Sequence, residues 1–251
     1  MNTIQKGVDM ELADYKHPYV TVDLLLFSII DGKLAICLTK RDEEPFKDMY
    51  AMPGTFIHED ESAEGAVERL LADRLGLEGN IYTEQLQTFT DITRDPRERV
   101  ISIAYIGIIP DMNMVKVPWM EWFTIASSNV GYEKLLKVGD GSNASFISNS
   151  LGFDHDEMLH IAIDRLRGKT QYTDILFKFL KDQKCFTAAI LREIYQAIIG
   201  KEVNRGNFTK YQMNTYIDNG LISKIGSTSV GRGRPADTYA YIGGEKLWIR
   251  S

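Results

Sequence analysis

The sequence predicts an α+β chain in two modules, and three observations carry that expectation. Residues 18–169 mix strand and helix patterns. Residues 170–251 read as three helical patterns followed by two short β patterns. The charge divides at the same place: residues 1–169 hold 17 Lys+Arg against 28 Asp+Glu, a net of −11, and residues 170–251 hold 12 against 7, a net of +5. An acidic body with a basic tail is a common pattern among nucleic-acid binders, although uneven charge alone leaves chance open. Residues 1–17 read as an N-terminal extension.

From Tyr19 to Lys40 the apolar residues form two strands joined by Asp31-Gly32, a favoured two-residue hairpin turn. A strand near Tyr50 to Met52 ends at Pro53-Gly54. Ser62 caps a helix over about 63–75, whose stripe is Ala66, Val67, Leu70, Leu71 and Leu75 and which Gly76 terminates. Strands follow near 84–90, 100–109 and 121–124. Residues 126–150, rich in Ser, Asn and Gly, read as a loop. Asp154 is placed as the cap of a helix carrying Met158, Leu159, Ala162, Ile163 and Leu166, with His155 beside it read as facing solvent and, as the alternative, as a ligand or effector contact.

In the basic module the helical patterns span about 173–180, 187–199 and 206–219, and the β patterns 221–225 and 238–242. Three helices and then a hairpin with a basic tip is the order of a winged helix-turn-helix. In that arrangement the second helix of the motif enters the major groove with its N-terminal residues against base edges, which singles out Arg205, Asn207, Thr209 and Lys210. The expected buried stripe of that helix is Met213, Tyr216 and Ile217. The segment Gly231-Arg232-Gly233-Arg234-Pro235-Ala236 puts Arg232 and Arg234 on a flexible wing, where arginine suits a narrow minor groove. A solvated Gly/Arg turn is the bland alternative.

Bulk properties exclude other classes. Hydrophobic content of 44% and charged content of 25% are ordinary for a globular protein. The apolar run 20–30 is interrupted by Asp23 and is shorter than the roughly 18 residues a membrane span needs. The stretch 1–16 carries acids and no apolar core, so secretion is not expected. Two lone cysteines, Cys37 and Cys185, argue for a reducing compartment, with neither a disulfide framework nor a metal site. The expected location is the cytoplasm.

Gly54, the acidic cluster Glu59-Asp60-Glu61, Arg69 and Gly76-Leu77 together resemble the Nudix box. That family's pattern is Gly, five residues, Glu, seven residues, then Arg-Glu-aliphatic-x-Glu-Glu-x-Gly-aliphatic. Anchored on Gly76-Leu77, it puts Glu61 at the first Glu and Arg69 at the Arg, with Gly54 one residue further upstream. The resemblance implies an α/β/α sandwich around a mixed sheet. In Nudix hydrolases the box carboxylates bind Mg²⁺ against a pyrophosphate. Here Leu70 stands for the Glu after the Arg, and the paired glutamates become Asp73 and Arg74. One Asp beside an Arg is a poor divalent-cation site. Glu64 and Glu68 occupy other angular positions of the helix, so rescue through them needs a rearranged site.

The strings 93–102, 151–155, 164–169 and 195–200, with Asn207-Phe208 and 231–236, are similar to the Nudix-related transcriptional regulators over about residues 18–242. That resemblance implies a homodimeric repressor on a double-stranded operator, with no cofactor required. Its effector would be ADP-ribose or a sugar, and its targets genes of NAD or sugar metabolism. Arg41, Arg97 and Arg99 are candidates to pair with effector phosphates, and Phe46, Tyr50 and Phe56 to stack on a base or sugar. Loop arginines balanced by Asp42, Asp95 and Glu98, with the aromatics in the core, are the plainer alternative. The competing class is a Mg²⁺-dependent ADP-ribose pyrophosphatase with an accessory domain.

Overall fold

The computed structural model describes residues 16–127, 131–139, the backbone of 145–147, 150–229 and 235–243. The wing residues Arg232 and Arg234 lie outside them. β1 (Tyr19–Ile30) and β2 (Lys33–Lys40) form a hairpin whose turn residues Asp31 and Gly32 both have positive φ, 48° and 70°. Such a turn matches the strand twist, and Asp-Gly is well suited to it. β3 (Tyr50–Ala51) pairs with β2, and β4 (Gly54–Phe56) pairs with β1. The sheet continues through β5 (Tyr82–Phe89), β6 (Val100–Ile108), β7 (Met120–Ser127), β8 (Tyr132–Lys137) and β9 (Ser145–Ile147) in the order β5-β6-β1-β2-β7-β8-β9. β1 and β6 run parallel and the other pairs antiparallel, so the sheet is mixed.

The sheet is covered on both faces, which explains why β1 reads as a continuous apolar run. Leu24 and Leu26 face α1 (Ala63–Arg69) and its continuation Leu70–Arg74, packing with Ala66, Val67, Leu70 and Leu71. Leu25 and Phe27 face α2 (His155–Lys169), packing with Met158, Leu159, Ala162 and Ile163. Ser62 caps α1 as expected, accepting from the Gly65 amide at 3.1 Å.

Several expectations are corrected. β8 and β9 occupy part of the stretch read as a loop, because only Tyr132 and Leu135 of β8 are fully buried and the intervening Glu and Lys hide the alternation. The pattern at 173–180 is a single tight 3₁₀ segment, Ile175–Phe179. Four of its five residues are buried, so it has no polar face on which to lie as a surface helix. Asp154 makes no capping bond. Its carboxylate is taken by Arg94, sixty positions away.

In the basic module, β10 (Phe186–Thr187) leads into α3 (Ala188–Ile199), whose first turn is capped by the Thr187 hydroxyl. Gly200 ends α3 at φ 69°, and a Cβ there would meet Ser127 Cβ at 2.5 Å, so the position needs glycine twice over. α4 (Arg205–Asn207), the wide-turned segment Phe208–Met213 and α5 (Asn214–Asp218) form one helical run. The wide turns rotate the apolar stripe, so Phe208, Met213 and Tyr216 are buried while Ile217, expected inside, is 42% exposed. β11 (Ile222–Thr228) and β12 (Ala236–Tyr241) complete a three-stranded sheet in the order β10-β12-β11. α2 ends at Lys169, where the sequence places the boundary between modules. A single apolar cluster nevertheless runs from Leu159 and Leu166 through Leu176 and Phe177 to Leu191 and Tyr216.

Candidate functional site

A solvent-open cleft of about 290 Å³ lies where β1, the turn before β4, the end of the box helix, the 94–97 loop and the start of α2 converge. Its floor is a buried ionic cluster. Arg94, with its side chain 4% exposed, donates to both oxygens of Asp154 at 2.9 and 2.8 Å and lies 3.4 Å from Asp23 Oδ2. Ser102 Oγ donates to the same Asp23 oxygen at 2.6 Å. Gly54 sits opposite Asp23 in the β1–β4 register, and a Cβ there would come within 2.3 Å of Asp23 Oδ1. The box glycine is therefore demanded by packing against this carboxylate.

His155, expected on the surface, is buried. Its Nδ1 accepts from the Met52 amide at 2.9 Å and its Nε2 lies 3.8 Å from Asp23 Oδ1. A lone His beside an N-terminus gives no local sign of this; only the approach of the Met52-Pro53-Gly54 turn creates it. Burial holds the His155 pKa below its ordinary 6.5, outweighing the nearby carboxylates. Above about pH 6.5 the ring is neutral folded and unfolded; below it the unfolded chain takes up a proton that the folded site resists. The stabilisation is therefore full above pH 6.5 and lost as the pH falls below it. Urea unfolding from pH 7.5 to 5 is expected to show this loss, and His155→Asn, which keeps an acceptor near Nδ1, to flatten it. An equal slope in the variant would refute the assignment.

Of the six residues expected at an effector site, Arg41, Phe56 and Arg97 line the cleft. Phe46 stands behind it, packed on the lining Phe153 with ring centroids 4.8 Å apart. Arg41 and Arg97 lie over the Phe153 ring at 4.8 and 5.8 Å. Both phenylalanines hold positive φ, 66° and 59°, a conformation bulky residues adopt only under constraint from their surroundings. Tyr50 and Arg99 do not line the cleft. Tyr50 is buried on the α2 face against Phe123, its hydroxyl donating to Glu121 at 2.9 Å. Arg99 spends its guanidinium on the Asp91 and Thr90 carbonyls, both at 2.9 Å. Trp119, Arg74 and Arg94, which sequence reasoning left out, also line it.

The box helix presents its charges in a definite way. Arg69 grips Glu61 through two bonds of 3.0 and 2.6 Å and reaches Thr55 Oγ1 and the Phe56 carbonyl. This pairing lowers the Glu61 pKa to about 2. Glu64 accepts from the Tyr105 hydroxyl at 3.0 Å, and Leu70 is wholly buried. Among the described residues no group of three or more His, Cys, Asp or Glu is placed to hold a metal ion.

The second surface is the exposed start of the helical run in the basic module. Asn204 accepts from the Gly206 and Asn207 amides at 2.8 and 3.2 Å, which caps the run. Arg205, Asn207, Thr209 and Lys210 are all exposed there while Phe208 anchors the turn. The turn before it is held by Gln196, which accepts from the Val203 amide at 2.8 Å, and by Arg192, which donates to the Val203 carbonyl at 3.1 Å. Arg205 and Thr209 border a groove closed on its other side by Thr228 and the 235–239 stretch. The two surfaces are joined through α2. Its start holds Arg94, and near its end Arg167 donates to the Gly131 carbonyl at 3.0 Å and to that of Ile198 in α3 at 3.4 Å.

Residues 20–137 match the NUDIX domain family. Over 235 residues, 91% of the chain, it is 27% identical to the ADPR responsive transcriptional repressor NtrR of Acinetobacter baylyi, covering 84% of that protein. Its fold is similar to that of Shewanella oneidensis NrtR, solved in complex with a 27mer DNA. The TM-score is 0.68 at 26% identity, over 88% of this chain and 93% of that one. A shorter stretch of 92 residues, 37% of the chain, is 39% identical to an ADP-ribose pyrophosphatase of Methanocaldococcus jannaschii and covers 52% of it. No helix among the described residues is long and apolar enough to cross a membrane.

Proposed function

We propose that this chain, a member of the Nudix-related transcriptional regulators, is a cytoplasmic repressor that binds an operator through its winged-helix module and answers to ADP-ribose in its Nudix cleft. The observation that carries this reading is the likeness, over nearly the whole length of both chains, to a regulator solved on DNA. The capped, exposed Arg205–Lys210 turn supplies the chemistry: Arg suits guanine, Asn suits adenine, and Lys meets phosphate. One winged module offers a small footprint, so the protein acts as a twofold dimer on a palindromic site. Effector binding at the floor of the cleft changes the setting of α2, and Arg167 passes that change to α3.

The identity to an ADP-ribose pyrophosphatase favours, as a second reading, hydrolysis of the same ligand. Against it stand Leu70 in the core, Glu61 engaged by Arg69 and Arg74 where a carboxylate is required. These residues do not fit a divalent cation.

The test is retarded migration of a fragment from the protein's own upstream region, with and without ADP-ribose and a panel of sugars. Retardation relieved by ADP-ribose is the expected result. Arg205→Ala is expected to weaken operator binding by about 5- to 150-fold, the equivalent of losing one base-reading side chain at roughly 1–3 kcal/mol. Arg232→Ala/Arg234→Ala tests the wing in the same assay. No retardation by any upstream fragment, together with Mg²⁺-dependent turnover of ADP-ribose, would replace the repressor by the enzyme.

A further inference from the structure

We infer that the Arg74 guanidinium takes the place of the metal ion in this Nudix cleft, so that a diphosphate-bearing effector is held without any divalent cation. The inference rests on the reading of the cleft as an effector site and adds how the negative charge is met there. Arg74 closes the last turn of the box helix, at the position of the second of the family's paired glutamates. Its exposed side chain lines the cleft, and among the described residues it has neither a hydrogen bond nor an ion pair.

The other lining arginines are already engaged. Arg94 is committed to Asp154 and Asp23, Arg97 is paired in part with Asp95, and Arg41 is turned onto the carbonyls of Pro45 and Glu43. A metal has no comparable foothold. Leu70 offers no oxygen, Glu61 is held through both oxygens by Arg69, Glu64 is engaged by Tyr105, and Asp73 stands next to the cation itself. In a Nudix hydrolase the box acids recruit a cation that in turn neutralises the diphosphate. Replacing one of those acids by arginine removes the need for the intermediary, because a guanidinium is itself cationic and offers paired N–H donors that match two phosphate oxygens. The same exchange forfeits the ion's ability to activate water, so binding is kept while hydrolysis is lost.

Calorimetric titration of the full-length protein with ADP-ribose, in excess EDTA and in excess Mg²⁺, tests this. The wild type is expected to bind equally well in both. Arg74→Ala is expected to lose about tenfold in affinity in both, roughly 1.4 kcal/mol. Arg74→Glu should lose more in EDTA and regain affinity when Mg²⁺ is added. An unchanged melting curve of the free variants confirms that they are folded, as the exposed, unpaired side chain leads one to expect. Loss of wild-type binding in EDTA, or Arg74→Ala binding as the wild type does, overturns the inference. If the wild type takes up no ADP-ribose in either condition, the effector reading fails and inorganic pyrophosphate becomes the probe. Metal-independent uptake that Arg74→Ala weakens then upholds the role of Arg74, and no uptake overturns it as well.

Discussion

Arg94→Met is expected to lower the free energy of unfolding by about 3–5 kcal/mol, a large part of the roughly 5–15 kcal/mol by which domains are stable. The guanidinium bridges two acids: Asp154, which it grips through two nitrogens, and Asp23, which also carries the Ser102 hydroxyl bond. Methionine fills much of the same volume but leaves both carboxylates enclosed without a counter-charge. Uncompensated burial of charge, more than the lost attraction, sets the size of the effect. Arg94→Lys keeps the charge without the planar fork and should fall between. The double variant Arg94→Met/Asp154→Asn removes one stranded acid and should recover part of the loss. Urea unfolding of the four proteins measures it, and a loss below about 1 kcal/mol for Arg94→Met would show that water reaches the cluster. Because Asp154 begins α2, the proposed coupling predicts that the same substitution raises the effector concentration needed to release DNA.

Arg94 also marks where the sequence stops being readable. The hairpin at Asp31-Gly32, the capped box helix and the capped start at Arg205 are built from bonds spanning a few residues, and their signals are equally local. Asp154 carries a local signal too, that of a helix cap, but a partner sixty positions away claims its carboxylate. His155 is buried for a similar reason, since the amide it accepts from is 103 positions distant. Tyr50 has the composition of a stacking residue, yet its pairing with β2 (Lys40↔Tyr50) and its bond to Glu121 turn it toward the α2 face. Alternation shows which residues share a face; it does not show which face holds the cleft. Arg74 is the opposite case. It is legible as a departure from the box, but its meaning depends on the surrounding arginines being already paired.

The second large effect concerns the joint between the modules. Phe177 is wholly buried, with ring centroids 4.6 Å from Tyr241, 5.2 Å from Tyr216 and 5.9 Å from Phe186. Its truncation to alanine is expected to cost about 3–5 kcal/mol, the usual range for deleting a buried ring and leaving a cavity. Where that loss appears is the informative part. The 3₁₀ segment carrying Phe177 follows α2 directly, and its neighbours Ile175 and Leu176 belong to the same apolar cluster as Leu159 and Leu166 under the sheet. If that cluster acts as one core, Phe177→Ala lowers a single cooperative transition, and ADP-ribose, the effector proposed for the distant cleft, is expected to raise that same transition by mass action. Two separate transitions, with only the C-terminal one shifted by Phe177→Ala and only the N-terminal one by ligand, would mean that the modules are tethered and not fused. A fused core gives the cleft a mechanical path to the exposed Arg205–Lys210 surface through α2. A tether would leave the proposed signal to contacts between copies of the chain instead.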